Sequence, residues 1–442
     1  MTVIVKKKIA IIGGGLAGVE VANLLSKRGN RISIFEMRPK KFTPAHKSDK
    51  LAELVCSNSL RSKELTSAVG LLKHEMTKLN SLVMEAAYKT EVPAGKSLAV
   101  DRERFAGYIT NKLETSTNVE IVREEITSLK DPNLTGFDVV VISAGPLISE
   151  PLAKDLLGKI GGKQLYFYDA IAPIVSAESI NWDKVFWGSR YEEESTDYVN
   201  CPMTEEEYYK FREELIKGEK VKPKGFEKEI HFEGCLPIEV MAERGELTLA
   251  YGPLKPVGLI DPRTGKRPFA VVQLRAENRE KTMFNMVGFQ TKLTYKEQKR
   301  IFRMIPGLEN AEFLRLGSIH RNTYVNSPKI LTPYLEIKGL KDVYLAGQIT
   351  GVEGYVESAA CGLVLGIILS KKLAGEDINL PPEETAIGGL MAHLRRDIKD
   401  FQPMNVNFGL IKPINVRAKK SKKRELFVQR ALEFFDRWLE TI

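Results

Sequence analysis

The sequence has little cysteine and histidine, and it has no long apolar run. It contains four cysteines, Cys56, Cys201, Cys235 and Cys361, and five histidines among 442 residues. No two cysteines form a CxxC pair, so the spacing predicts neither a zinc site nor a disulfide scaffold. The longest apolar run, around 361–369, is shorter than the ~18 residues of a membrane helix, and the N-terminus does not have the shape of a signal peptide. We therefore expect a cytoplasmic protein with reduced thiols, no membrane contact and no metal.

The composition excludes a disordered chain. Hydrophobic residues make up 43% of the sequence and charged residues 28%, which is ordinary for a globular protein. The length of 442 residues is enough for two or three domains, each with a core of its own.

Basic residues exceed acidic residues by 66 to 57, and most of the net charge of +9 is local. Seven lysines and arginines, and no acidic residue, lie between Lys412 and Arg424, so the rest of the chain has a net charge of only +2. Such a block fits a surface that neutralises nucleic-acid phosphates, and it fits equally a solvated tail that keeps the protein soluble. The composition leaves both interpretations open.

The first forty residues have the pattern of a βαβ unit. The β-branched run Lys8–Ile12 predicts a buried strand, and a glycine-rich turn follows it. Residues 19–28 predict a helix with apolar residues on one face, and residues 31–35 predict a second strand that ends at Glu36. A strand, a helix and a strand in this order predict a parallel pair of strands.

The turn between the first strand and the helix has the spacing Gly13-x-Gly15-x-x-Gly18, which in this context is the dinucleotide-binding fingerprint. The first glycine permits the tight turn, the second lets the backbone approach a diphosphate, and the third lets helix and strand pack closely. A carboxylate at Glu36 accepts hydrogen bonds from ribose hydroxyls and repels a 2′-phosphate, which favours FAD or NAD over NADP. We assign to the dinucleotide Gly13, Gly14, Gly15, Leu16, Ala17, Gly18 and Glu36.

A second strand–glycine element far down the chain separates FAD from NAD. Residues 342–346 predict a strand that leads directly into Gly347, Gln348 and Ile349. Many flavoproteins close the cofactor pocket with such a late element, whereas NAD-binding folds seldom need one, so we favour FAD. Tyr355 follows shortly and is either an aromatic residue stacked on the flavin or part of the core.

The texture of the sequence changes in the middle of the chain. Residues 191–293 are rich in charge and in proline and glycine, and they contain short alternating runs such as Glu246–Ala250, which we read as strands. We therefore expect an α/β fold, a Rossmann-like FAD-binding domain with an inserted α+β domain. The expected parts are residues 1–190 and 311–411 for the FAD-binding domain, 191–310 for the inserted domain, and 412–442 for a basic, helical C-terminal tail.

Two cysteines and one polar cluster are candidate functional residues by local sequence. Cys56 lies among serine, asparagine and Arg61, and the arginine can favour the thiolate. Cys235 lies in a turn flanked by glycine and proline, and His320 and Arg321 follow an apolar run. Each also has an ordinary interpretation, a small buried side chain for the cysteines and a surface loop for the pair.

Long segments between residues 8 and about 415 have the characteristic sequences of one enzyme family. They are GGGLAGVE, EMRPKKFTPAHKSDKLAELVCSNSLRS, VPAGKSLAVDRERF, FEGCLPIEVMAERG, GPLKPVGL, DPRTGKRPFAVVQLRAEN, NMVGFQTKL, RLGSIHRNTY, AGQITGVEGYVESAACG and NVNFGLIKPI. On these segments the chain resembles the bacterial folate- and FAD-dependent tRNA (uracil-5-)methyltransferases, the TrmFO family.

The resemblance implies a reaction. NAD(P)H reduces bound FAD, methylenetetrahydrofolate provides one carbon, and carbon 5 of a uridine in the tRNA T-loop receives it; no protein partner is required. The family's two catalytic cysteines fall on Cys235, which would add to carbon 6 of the uracil, and Cys56, which would remove the proton from carbon 5. By the same matching, Tyr355 would stack on the flavin, while His320 and Arg321 would contact the folate. Tyr295 stands where many relatives have tryptophan, and it is a further candidate for stacking on a substrate.

Three alternatives stay open. The same chemistry could act on a uridine of large-subunit ribosomal RNA, because the motifs do not separate the two RNAs. A relative of MnmG, which modifies the tRNA wobble position with a partner protein, is disfavoured by the segments around Cys56 and Cys235. A non-catalytic flavoprotein that binds RNA through its basic tail would hold FAD without transferring a methyl group.

Overall fold

The structure, a computed structural model, describes residues 6–161, 165–192, 195–221, 236–399, 401–416 and 418–442. Cys235, one of the two predicted catalytic cysteines, lies outside the described residues. Within the described ranges, no helix combines the length and the apolar character that crossing a bilayer requires.

The described strands fall into four sheets. In chain order they are β1 (Lys8–Ile12), β2 (Arg31–Phe35), β3 (Ser59–Ser62), β4 (Glu91–Val92), β5 (Ser97–Val100), β6 (Val119–Val122), β7 (Val139–Ile142), β8 (Leu165–Ala170), β9 (Ile174–Ser176), β10 (Phe186–Trp187), β11 (Tyr198–Met203), β12 (Ala270–Ala276), β13 (Met283–Met286), β14 (Phe313–Arg315), β15 (Ile319–Tyr324) and β16 (Val343–Leu345).

The described helices surround these sheets. In chain order they are α1 (Leu16–Lys27), α2 (Ala68–Lys78), α3 (Leu82–Lys89), α4 (Arg102–Glu114), α5 (Glu150–Ile160), α6 (Glu205–Lys217), α7 (Ile238–Glu243), α8 (Thr248–Tyr251), α9 (Tyr295–Phe302), α10 (Ser327–Ile330), α11 (Tyr355–Ala374), α12 (Ala386–His393) and α13 (Lys420–Leu439).

The first domain is built on a five-stranded parallel sheet in the order β16-β7-β1-β2-β6. β1 is central and apolar because both of its faces are covered, and it pairs in parallel register with β2 and with β7. Helices α1 and α11 pack against each other, and both are apolar around most of their circumference. The carboxyl ends of the parallel strands meet at one edge, where ligands bind in folds of this type.

The second domain contains a six-stranded antiparallel sheet in the order β10-β11-β12-β13-β9-β14 and has its own apolar core. The sequence placed the inserted domain at 191–310, but β9 and β10 precede this range and β14 follows it. We therefore propose 171–315 as the extent of this domain.

The strand predicted at Glu246–Ala250 is wrong. Helix α8 occupies Thr248–Tyr251, because its apolar residues pack against the core from one side. The expected α/β fold with an inserted α+β domain is confirmed.

Two strands connect the domains. β8 enters the second domain and β15 leaves it, and they pair antiparallel with His320 opposite Asp169. This ribbon places side chains from both ends of the insertion beside the carboxyl edge of the parallel sheet.

The last residues of the basic block, from Lys420 onward, begin the docked helix α13. Helix α13 buries Phe427, Ala431, Phe435 and Trp438, which the spacing of a helix brings to one face. The indole nitrogen of Trp438 donates to the carbonyl of Asn379 at 2.8 Å. Since burying one such aromatic side chain stabilises by about 2 kcal/mol, the helix is held on the first domain and is not a free tail.

Candidate active site at the edge of the parallel sheet

The glycine turn after β1 brings helix α1 unusually close to the sheet. Gly13 has φ +103°, and a Cβ atom there would lie 2.5 Å from Cα of Ala144. A Cβ atom on Gly18 would lie 2.2 Å from the carbonyl oxygen of Gly13. These two positions therefore accept only glycine, and they leave the first turn of α1 open toward the cleft.

Glu36 closes the turn from the end of β2. Its carboxylate accepts from the backbone N–H of Gly14 at 3.1 Å and from Nε of Arg38 at 2.9 Å. Burial pushes the pKa of Glu36 up, but the hydrogen bonds and charge of Arg38 outweigh it, so the pKa lies below its ordinary value. Glu36 is therefore an anion. Its Oε1 accepts twice from Arg38, whereas its Oε2 accepts from Gly14 alone among the described residues and retains a lone pair for a ligand hydroxyl.

Arg38 organises the loop that covers this end of the cleft. Only 2% of Arg38 is exposed, and its guanidinium also donates to Glu53 at 2.9 Å and to the carbonyl of Ser48 at 3.0 Å. His46 of the same loop shares a 2.6 Å hydrogen bond with Thr43, and burial together with Arg38 lowers the pKa of His46 to about 4. These residues form no local motif, so nothing in their sequence predicted them, although all lie in one of the family segments.

The cleft beside the turn fits a dinucleotide. Gly347 has φ +83°, and a Cβ atom there would lie 2.9 Å from Cβ of Ala17, so the second glycine element closes directly over the first. The hydroxyl of Ser149 is buried in the cleft wall, where none of the described residues offers it a hydrogen bond. An extended polar ligand would lie against the closely approaching glycine backbone, and it would also provide a hydrogen-bond partner for the Ser149 hydroxyl. The predicted cofactor residues that line the cleft are Gly13, Gly15, Leu16, Ala17, Glu36, Gly347, Gln348 and Tyr355.

Three predicted cofactor residues stand behind this lining. Gly14 donates its N–H to Glu36, Gly18 packs against Gly13, and Ile349 is 1% exposed. Their role in the structure is to shape the cleft, and direct contact with FAD stays a prediction for them.

Gly18→Ala is expected to cost the protein its flavin. The new methyl group would force α1 away from β1, so FAD content should fall at least roughly tenfold, because close approach at this glycine shapes the diphosphate site. The matched control is Gly158→Ala in helix α5, where a Cβ atom meets nothing within 4 Å. The ratio of flavin to protein absorbance measures both variants, and a fully yellow Gly18→Ala protein would contradict the assignment.

Cys56 and Tyr355 meet at the wall of the cleft, whose lining includes Tyr355 and Val55, the residue before Cys56. The phenolic oxygen of Tyr355, the first residue of α11, accepts from the backbone N–H of Cys56 at 2.6 Å and from that of Ser57 at 3.3 Å. The Cys56 sulfur lies 3.8 Å from the carbonyl oxygen of Ala170, in the ribbon between the domains. Two residues separated by 299 positions in the chain, both predicted from the sequence, therefore share one site.

The charges around Cys56 differ from those that the sequence predicted. Burial, with Asp169 adding to it, raises the pKa of the Cys56 thiol to about 12, while Arg102 and Arg315 oppose this rise. Arg61, the predicted partner, instead forms an ion pair with Glu357, so that expectation was wrong. The thiol is consequently neutral at pH 7, and two other arginines are the groups that can favour its thiolate.

The segment after Cys56 is tied to the second domain. Arg275 of β12 donates to Asn58 at 2.9 Å and to Ser57 at 2.8 Å. Arg102 of α4 makes a two-pronged pair with Glu277, with both distances 3.0 Å. These contacts across the domain boundary fix the backbone around Cys56 and hold Arg102 beside it.

His320 lies on strand β15, not in the surface loop that its local sequence also allowed. Its Nε2 is 2.8 Å from the hydroxyl of Ser318, and burial, with the charges of Arg315 and Lys47, lowers its pKa to about 4. A neutral imidazole at pH 7 can donate or accept a hydrogen bond at the site. Arg321 follows on the same strand, in register with Tyr168.

Tyr295 is not among the described residues that line the cleft. It begins helix α9 and is 58% exposed. The helix is nevertheless fixed to the segment before His320, since Gln298 exchanges two hydrogen bonds with the backbone of Gly317, at 2.7 and 2.9 Å. A contact of Tyr295 with a substrate stays a prediction.

The chain is similar to proteins of one family over most of its length. Residues 8–377 match the family model of glucose inhibited division protein A. The chain is 61% identical to the methylenetetrahydrofolate–tRNA-(uracil-5-)-methyltransferase TrmFO of Oleidesulfovibrio alaskensis, over 97% of this chain and 96% of the relative. It is 56% identical to the protein of the same name from Aquifex aeolicus, over 98% and 97% of the two chains.

The fold is also similar to that of a solved structure. Aquifex aeolicus GidA, in its form II crystal, superposes with a TM-score of 0.69 at 17% identity, covering 100% of this chain and 75% of GidA. The likeness supports the observed architecture of a parallel sheet with an inserted second domain.

Proposed function

The chain belongs to the TrmFO family, and from this premise we propose that it transfers one carbon from methylenetetrahydrofolate to carbon 5 of a uridine in the tRNA T-loop. The observation that carries the proposal is the meeting of Cys56 and Tyr355 at the wall of a cleft that fits a dinucleotide. The family is that of folate-dependent tRNA (uracil-5-)-methyltransferases, which supports folate and tRNA as the substrates that this centre would bring together with FAD.

FAD is the cofactor that the cleft fits. The first turn of α1 would hold the diphosphate, Glu36 the ribose hydroxyls, and Gly347, Gln348 and Tyr355 the flavin end. The chemistry that bound FAD would supply, after reduction by NAD(P)H, is transfer of the one-carbon unit from the folate together with a hydride. Every other function at the centre falls to the chain's own residues.

Activation of the uracil is the task we propose for the cysteines. When the Cys235 thiolate adds to carbon 6, the electron pair moves to carbon 5, which then attacks the one-carbon unit. The carbon 5 proton then passes to the Cys56 sulfur, and the bond between sulfur and carbon 6 breaks. Cys56 must first lose its own proton, and Arg102 and Arg315 are the groups that favour its loss.

The target uridine must leave its stack to reach this centre. A base enclosed in a helix cannot approach a half-buried thiol, so a loop nucleotide is the natural substrate. We propose that His320 and Arg321 contact the folate, since β15 runs beside Asp169 and Cys56.

The direct test is methylation by the purified protein. Unmodified tRNA, methylenetetrahydrofolate and NADH or NADPH should together yield 5-methyluridine in the T-loop, and leaving out the folate should stop its formation. A large-subunit ribosomal RNA fragment in a parallel reaction decides between the acceptors. Methylation of that fragment alone would replace the tRNA proposal, and bound FAD with no transfer to either RNA would favour a binding protein.

The basic block at the start of α13 should contribute to RNA affinity. Replacing Lys419, Lys422, Lys423 and Arg424 with glutamine removes four positive charges from one surface. If each neutralises one phosphate of a double-stranded region, the slope of log affinity against log salt should fall by about 3 to 4. Filter binding at salt concentrations from about 50 to 200 mM measures the slope.

The matched control for this surface is Arg437→Gln. It lies at the other end of the same helix and pairs with Glu433. It should change the slope by less than about one. An unchanged slope in the variant with all four substitutions would contradict a role in RNA binding and favour a role of the basic block in solubility.

A further inference from the structure

Two indole rings stack on the surface of the second domain, at a place that the proposed chemistry does not use. Trp182 and Trp187 have ring centroids 5.8 Å apart and planes inclined by 18°. Trp187 rests on the buried core residue Phe284, whereas 42% of Trp182 is exposed. A large aromatic surface left open to water in this way is available to a partner.

The exposed ring is held in place from several sides. Trp182 begins a short 3₁₀ turn in which the side chain of Asn181 accepts from the N–H of Asp183 at 3.2 Å. Its own indole nitrogen donates to the carbonyl of Ala177 at 3.2 Å. Because the ring is already oriented, stacking of a ligand on it would cost little side-chain conformational entropy.

A cation accompanies the indole pair. Lys281, in the hairpin between β12 and β13, places its ammonium 4.5 Å from the ring centroid of Trp187. It does so with φ +55°, a left-handed conformation that a lysine rarely adopts. Hydrogen bonds between Asn278 and Thr282, at 2.7 and 3.0 Å, hold the hairpin in this shape. The surface therefore combines a π-face with positive charge.

The same hairpin borders a groove between the domains whose lining includes Arg102 and Arg315, the two arginines that act on the Cys56 thiol. Its residue Glu280 pairs with Arg104 of the first domain at 2.6 Å. The groove between the domains is lined by Asn278, Glu280 and Met283 on one side and continues to Arg102 and Arg315. A polynucleotide lying along this groove would pass the two arginines beside Cys56 and the hairpin that carries Lys281 next to the indole pair.

We infer that Trp182, with Trp187 and Lys281, is a stacking subsite for a second, unpaired base of the RNA substrate. The inference rests on the proposed function for the identity of that substrate. A base fits better than a protein side chain, because nucleobases stack on aromatic rings while the adjacent phosphate attracts a cation. The subsite would be tolerant of sequence, since every base has a π-face.

The test compares RNA saturation curves for variants of Trp182. Trp182→Ala should raise KM for RNA by about 5- to 150-fold, the range for losing one base stack, while kcat at saturating RNA and the FAD content are retained. Trp182→Leu keeps apolar packing on Phe284 and guards against misfolding, and it should show the same rise. Trp182→Tyr should restore most of the affinity. Tyr88→Ala, an equally exposed aromatic on α3, is the control and should change nothing.

Fluorescence provides an independent measurement. The chain has three tryptophans, and the third, Trp438, is 4% exposed. In a Trp438→Phe protein, emission from the remaining pair should be quenched by RNA. This titration needs no methyl transfer, so it reads the subsite even if the wild-type protein methylates no RNA and the proposed function fails. A KM for Trp182→Ala within about twofold of wild type, unchanged emission with RNA, or a combined loss of kcat and flavin would each overturn the inference.

Discussion

Cys235→Ala is expected to abolish methylation while FAD stays bound. Carbon 5 of uracil is a poor nucleophile until a group adds at carbon 6, so removing the sulfur should lower kcat by at least about 10³-fold. The flavin should be unaffected, because the described residues that line the cofactor cleft are unchanged in this variant. Nucleoside analysis after reaction measures the first effect and flavin absorbance the second.

A control and a trap make this experiment specific. Cys201→Ala removes a fully buried thiol from β11 of the same domain and should leave methylation unchanged. RNA that contains 5-fluorouridine has no carbon 5 proton to lose, so the adduct with Cys235 should persist on a denaturing gel. If Cys235→Ala still forms the adduct and Cys56→Ala does not, the two proposed roles are reversed.

Cys56→Ala is expected to lower methylation by about 10²- to 10⁴-fold, the usual contribution of a positioned base. The adduct with 5-fluorouridine should still form, because in this assignment Cys56 acts only after addition at carbon 6. The FAD content of Cys56→Ala is the internal control. It should be retained, because Tyr355 accepts a hydrogen bond from the backbone of Cys56, which the substitution leaves in place. Loss of both the adduct and the flavin would instead indicate a structural role.

The protonation of Cys56 sets the pH dependence of its reactivity in the free protein. Only the thiolate is alkylated, and its fraction rises tenfold per pH unit as long as the pH is below the pKa. Because burial raises this pKa to about 12, alkylation of Cys56 should rise steadily from pH 7 to pH 10, on the order of a thousandfold, without reaching a plateau. Peptide mapping by mass spectrometry follows the modified residue. A plateau near the ordinary thiol pKa of about 8.5 would contradict the buried setting.

Arg315→Gln extends this prediction. Its guanidinium is one of the two charges that oppose the rise in the Cys56 pKa, so its loss should slow alkylation further at every pH. Arg303→Gln, an arginine of the second domain whose hydrogen bonds go to the Ala311 carbonyl, is a suitable control. Equal rates of Cys56 alkylation in the two variants would show that Arg315 does not influence the Cys56 thiol.

The first forty residues show how far local sequence can go. Strand β2 occupies Arg31–Phe35 as predicted, and α1 begins three residues earlier than predicted, at Leu16. The prediction succeeds because strand, turn, helix and strand are consecutive, and the glycine spacing has one stereochemical purpose. The second domain shows the opposite case, since β9, β10 and β14 have only two or three residues each and carry no periodic signal.

The sequence by itself determined the nucleotide cradle, the identity of Cys56 and Tyr355 as candidates, and membership of the family, because these depend on contiguous residues and on residue type. Only the tertiary structure decided what surrounds the Cys56 sulfur. The charged residues that shift the pKa of the Cys56 thiol lie on α4, β8 and β14. Arg61, which is close in sequence, forms an ion pair with Glu357. The reason is that electrostatic interactions depend on distance in space and on burial, and folding sets both by joining segments that are far apart in the chain.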